Sequence, residues 1–132
     1  MSAANRAANR KERPVYISLT QFKFPITAIA SITHRITGVL LFLGIGYLLW
    51  LLSLALESPA GFAQAAHALE APFAKLVLWA VLGMLIFHIL AGVKHMIMDF
   101  HIGDSFEAAS AASYAVFALT VVITLLAGAW IW

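Results

Sequence analysis

Three stretches of this chain carry no Asp, Glu, Lys or Arg: Ile36–Leu56, Leu76–Val93 and Ala108–Trp132, of 21, 18 and 25 residues. A helix that crosses a bilayer needs about 20 predominantly apolar residues, because each residue advances about 1.5 Å through about 30 Å of hydrocarbon. The expected fold is therefore all-α, an integral membrane protein with three transmembrane helices at about 25–56, 73–98 and 112–132. Residues 1–24 form a polar tail and interfacial entry ahead of this anchor. Hydrophobic residues make up 63% of the chain and charged ones 11%, whereas a soluble domain is about half apolar and a quarter charged. With the apolar residues committed to the spans, no second, water-soluble domain is expected. A formal charge of +2, concentrated near the N-terminus rather than along one helical face, does not suit nucleic acid. The absence of cysteine excludes disulfides and Cys-ligated clusters within the chain.

In chain order, Met1–Arg13 is a short basic tail, and Pro14–Phe24 is an entry with Tyr16, Phe22 and Phe24 suited to the headgroup zone. Pro25 can open a helix at little cost, since the first-turn N–H it lacks has no intrahelical partner. A helix from Pro25 to Leu56 is about 48 Å long, more than the hydrocarbon needs. Ser31, His34 and Arg35 are accordingly expected at the membrane edge. Glu57–Pro72 carries Ser58, Pro59 and Gly61 and reads as a loop with at most a short interfacial helix, leaving His67 solvated. Gly103, Asp104 and Glu107 mark the next loop, and the closing Trp130–Trp132 places aromatics at the far interface. Six Lys or Arg precede the first charge-free stretch, and the Glu57–Pro72 loop has none. This bias predicts an N-terminus on the cytoplasmic or matrix side and a C-terminus on the opposite side; with no convincing transit segment read in the basic tail, the expected location is a bacterial inner membrane, N-terminus cytoplasmic and C-terminus periplasmic.

The polar residues gather at one membrane face. Ser31, Arg35 and Gly38 share a helical stripe at i, i+4 and i+7, with His34 beside them. A hydroxyl, an imidazole and a permanent cation there suit an anionic or carbonyl ligand, although an arginine alone can simply snorkel to phosphate groups. His88, six residues before Lys94, is expected about 9 Å deeper than that charge. An ionisable side chain in hydrocarbon marks a site by default, and three readings are open: a packed core residue, a proton relay, or a metal or haem ligand. Gly83, Ala91 and Gly92 would leave room for a flat macrocycle. His95 lies about 10.5 Å from His88 along the same helix, so the two cannot approach one iron from opposite faces. His34, read as interfacial, is a poor second ligand, so a haem on His88 would take its other ligand from another subunit. Lys94 and His95 are expected at the membrane edge, facing haem propionates, phospholipid or a partner's acids. Asp99 is a possible entry point for protons, and a plain surface acid otherwise.

Two segments, SITHRITG (Ser31–Gly38) and HILAGVKHMIMD (His88–Asp99), resemble the signatures of the cytochrome b membrane-anchor subunit of succinate dehydrogenase, respiratory complex II. The Arg13–Pro14 pair, the three spans and the length agree. The resemblance implies that His88 is one axial ligand of a haem b whose other ligand comes from a second small anchor subunit, which completes a haem-binding helix bundle. It implies that Ser31 and Arg35 line a ubiquinone site, and that His34 and Arg35 approach the haem propionates, where His95 also sits well. It further implies an iron–sulfur subunit and a flavoprotein subunit, which carry the clusters and flavin. Together these make a heterotetramer, itself open to trimerisation, that passes electrons from succinate to quinone. Lys94 stands where arginine is common in the family, keeping the charge without the bidentate fork. Two rival readings are a haem-less structural anchor and a small proton-conducting or transporter subunit. Against the latter, the third span offers only Thr120 and Thr124 as polar groups of any depth.

Overall fold

Proline and serine set the helix boundaries of this chain. The computed structural model describes residues 23–132; the basic tail and most of the interfacial entry, including Tyr16 and Phe22, lie outside them. The first helix, α1, spans Ile26–Glu57. Pro25 stands before it in an extended conformation (φ −63°, ψ 151°), and its carbonyl accepts from the N–H groups of Ala28 and Ile29 at 3.0 and 3.2 Å. Ser58 ends α1 and caps α2, Pro59–Glu70, its Oγ accepting from the Gly61 N–H at 3.0 Å. Pro59 opens α2, as proline does where the donor it lacks has no helical partner. A Cβ at Gly61 would collide with the Leu54 carbonyl oxygen. The absence of a side chain is what lets α2 fold tightly back on the end of α1. Ser58, Pro59 and Gly61 were expected in a loop with at most a short interfacial helix; they form the start of that helix, which is 12 residues long.

Pro72 likewise opens α3, Pro72–Asp99. The chain then turns through His101 (φ 60°) and Gly103 (φ 69°). Ser105 caps α4, Phe106–Ile131, accepting from the Ala108 N–H at 3.2 Å. Glu107 in the first turn complements the helix dipole. This helix begins at Phe106, six residues ahead of the expected 112, because Glu107 belongs to its first turn rather than to the loop. Among the described residues there is no strand, and α1, α3 and α4 are each long and apolar enough to cross a membrane. The chain is an all-helical, multi-pass membrane protein.

The three long helices meet through small residues, as membrane helices do when lipid offers no hydrophobic drive. Gly38 and Gly44 of α1 lie against His88 and Val81 of α3. Gly83 of α3 lies against Thr124, and Gly128 of α4 lies under the indole of Trp79. Trp79 Nε1 donates to the Thr124 carbonyl at 2.7 Å. Between α3 and α4, Phe87, Ala91 and Val116 form the buried cluster, extended by Leu90 and Phe117. Most large apolar side chains point outward, including Phe42, Leu43, Leu125 and Leu126. Exposed apolar area on this scale marks a surface made for lipid or partner chains.

Candidate functional site

The lower half of α3 presents two faces. His88, Gly92 and His95, at i, i+4 and i+7, face α1, where His34 lies close to all three. Phe87, Ala91 and Lys94 repeat the same spacing one residue earlier and face α4. The helical period thus separates an imidazole cluster from a lone ammonium, although the residues alternate in sequence.

On the first face, the rings of His34 and His88 stack with centroids 4.0 Å apart and planes inclined by 18°. His95 approaches His34 at 5.4 Å with a 51° tilt. Small residues permit this. A Cβ on Gly38 would sit 3.1 Å from His88 Cε1, and one on Gly92 would sit 3.7 Å from His34 Nε2. Thr37, buried between the helices, lies with Oγ1 2.9 Å from the Thr33 carbonyl, 3.0 Å from the His34 carbonyl and 3.3 Å from His88 Nδ1. A hydroxyl has one proton, and a carbonyl can only accept. With that proton given to a carbonyl, the His88 Nδ1–H donates to Oγ1 and Nε2 keeps its lone pair. His34 Nε2 is buried and has no hydrogen-bond partner among the described residues. A buried polar atom without a partner is costly in a dry site.

This arrangement corrects three expectations. His34 is level with His88 instead of lying nearer the interface. The expectation places His34 by its distance from the start of α1 and His88 by its distance from Lys94, whereas the stacked rings put the two at one level. Gly83 and Ala91 do not face His88, since they pack on Thr124 and in the Phe87–Val116 cluster. The glycines beside the imidazoles are Gly92 and Gly38, the latter from the neighbouring helix. Lys94 also does not join His95, because one residue along a helix is a turn of about 100°.

On α1, Ser31 lies about one turn before His34 and Arg35 directly follows His34. Ser31 is half-buried and Arg35 exposed, and neither side chain makes a hydrogen bond or ion pair with another described residue. Thr37 escaped the sequence reading. Its signal was present, a hydroxyl three residues after His34 on the same apolar helix, but its pairing with His88 spans 51 positions.

The donor set fits one haem ligand and no self-contained metal site. Among the described residues, no group of three His, Cys, Asp or Glu side chains could hold a metal ion. His34 and His88, stacked face to face, cannot both point a nitrogen at an iron between them. A neutral imidazole with its Nδ1–H engaged and its Nε2 lone pair free is the form that ligates iron.

A family model described as "Succinate dehydrogenase/Fumarate reductase transmembrane subunit" matches residues 9–127. The chain is 38% identical over 122 residues to a protein of Coxiella burnetii named "Succinate dehydrogenase cytochrome b556 subunit", covering 92% of this chain and 98% of that one. A protein of the same name from Paracoccus denitrificans is 36% identical over 118 residues, covering 89% and 91%. The "Succinate dehydrogenase cytochrome b560 subunit, mitochondrial" of Dictyostelium discoideum is 34% identical over 87 residues, which is 66% of this chain and 45% of that one.

Proposed function

This chain belongs to the succinate dehydrogenase/fumarate reductase transmembrane subunit family, and we propose that it is the cytochrome b anchor of a succinate:quinone oxidoreductase. In this reading the chain has no catalytic activity alone. It holds haem b together with a second small anchor subunit. It also forms part of the quinone site, fed by an iron–sulfur subunit to which a flavoprotein subunit delivers electrons. The membrane is a bacterial inner membrane, with the histidine end of the bundle on the cytoplasmic side.

The observation that carries the reading is His88, hydrogen-bonded through Nδ1 to Thr37 and flanked by Gly38, which supports a role as axial ligand. Haem b bound there would supply a one-electron carrier. His34, Arg35 and His95 are the groups to meet its propionates; the orphaned Nε2 of His34 then gains a partner. His34 would have to swing from its stacked position beside His88 to do so.

Ser31 and Arg35 serve the quinone. A quinone carbonyl becomes a much stronger hydrogen-bond acceptor as it takes up electrons. The Ser31 hydroxyl donates to that oxygen, and the Arg35 guanidinium stabilises the negative charge developing on it. Fixed donors and cations of this kind act strongly where water is excluded. The spacing at i and i+4 lets both reach one ligand.

The test is a reduced-minus-oxidised spectrum of the purified complex, wild type beside His88→Leu. A bis-histidine b-type signal that disappears or becomes high-spin in the variant is the expected result. An unchanged low-spin signal would remove His88 from the site.

A further inference from the structure

The lone ammonium on the other face of α3 has a different use. Lys94 is only 9% exposed, and its Nζ donates to Ser113 Oγ at 2.7 Å. Ser113 is fully buried and passes its own proton to the Ala109 carbonyl at 2.8 Å. An ammonium has three protons to donate, and this one has a single neutral acceptor. Among the described residues no carboxylate lies within ion-pair distance of it; the one His–acid contact there joins His101 to Asp104. A buried cation without an anion is expensive, so the balance calls for an anion from outside the chain.

The surroundings say which kind. Lys94 lines a cavity of about 340 Å³ between α3 and α4. Its lining includes Ile102 and Gly103 of the turn at one end and Leu90, Val116 and Leu119 along the helices. Leu90 is one helical turn from Lys94, about 6 Å further from the turn between α3 and α4. The cavity therefore has a cation near the membrane surface and an apolar trough leading inward. That is the polarity order of a phospholipid, phosphate outward and acyl chain inward. A partner's carboxylate would satisfy the ammonium but has no need of the trough. Haem propionates belong to the opposite face, where His88 and His95 look toward α1. We infer that the α3–α4 cavity binds one anionic phospholipid, its phosphate paired with Lys94 and one acyl chain laid along Leu90, Val116 and Leu119.

Native mass spectrometry of the purified, delipidated complex, titrated with phosphatidylglycerol or phosphatidylcholine of the same acyl chains, tests this. Wild type should retain one phosphatidylglycerol per copy of this chain, at least tenfold in preference to phosphatidylcholine. Lys94→Arg should keep that preference and Lys94→Gln should lose it. Ala115→Phe, which narrows the trough from an exposed position, should lower binding at least tenfold with Lys94 intact, and it keeps the test open if Lys94→Gln fails to assemble. A wild type without preference overturns the inference. So does retention of the lipid by both Lys94→Gln and Ala115→Phe, and so does a Lys94→Gln complex that sheds a partner subunit while its lipid stays bound.

Discussion

His34 and His88, on different helices, are 54 positions apart in sequence, yet their imidazoles stack at 4.0 Å with an 18° inclination. The relationship is one of contact and not of shared ligation, because stacked rings cannot both address one iron. His34 should therefore tune the site without founding it. In His34→Ala the b-type spectrum is expected to stay low-spin. The midpoint potential of the haem should shift, since a group proposed to meet the propionates is gone. A high-spin spectrum in this variant would make His34 a ligand and overturn the division of roles.

Thr37 gives a second handle on His88, the proposed haem ligand. Its Oγ1, 3.3 Å from His88 Nδ1, is proposed to fix which ring nitrogen carries the proton. Loss of such an outer partner typically costs 10–100-fold in metal affinity. Thr37→Val should weaken haem retention by about tenfold, read as the rate of haem transfer to apomyoglobin, whereas Thr37→Ser should retain it. Equal rates in all three would leave Thr37 a packing residue.

Space beside His88 is as important as its hydrogen bond. A Cβ at Gly38 would already press on His88 Cε1 at 3.1 Å, so the imidazole must yield by a few tenths of an ångström to Gly38→Ala. Gly38→Val adds two methyl groups in the same direction, and overpacking of this kind costs about 1–3 kcal/mol. Haem occupancy should fall slightly in the first variant and steeply in the second, measured against total protein in the purified complex.

Ser31 and Arg35 are expected to separate quinone chemistry from haem binding. Removing one donor from a preorganised anion-stabilising site costs about 10²–10³ in turnover, and Arg35→Leu should fall in that range for succinate:quinone activity. Ser31→Ala should lose less, because a neutral donor contributes less than a charged one. Dye reduction at the partner subunits should be unaffected in both. Equal loss of dye and quinone activity would mean that the substitutions disturb assembly instead.

The far end of the bundle offers a purely structural check. Trp79 Nε1 donates to the Thr124 carbonyl at 2.7 Å over Gly128. Trp79→Phe keeps most of the ring and loses the bond, a change of about 0.5–1.5 kcal/mol. A drop of a few degrees in Tm with an unaltered haem spectrum is the expected outcome. A spectral change would show that the two ends are coupled.

Much of this protein is determined by local chemistry and is therefore readable in its sequence. Charge-free runs of bilayer length dictate three apolar helices, because few structures keep backbone polar groups satisfied in hydrocarbon. The residues proposed to carry the chemistry, Ser31, His34, Arg35, His88 and His95, stand out because polar groups are rare in and beside such runs. Signals at the helix boundaries were present but misread. Ser58–Pro59–Gly61 and Ser105–Glu107 resemble loops until the serine is seen to cap the helix that follows. What the tertiary structure decided is register. Depth along one helix can be counted, but its level against another depends on where glycines allow approach. Gly38 and Gly92 set His34 beside His88, and Phe87, Ala91 and Val116 turn Lys94 toward Ser113. Lys94, expected to face outward at the membrane edge, is instead buried against α4. Long-range contacts of this kind join residues far apart in the chain, so no local pattern could reveal them.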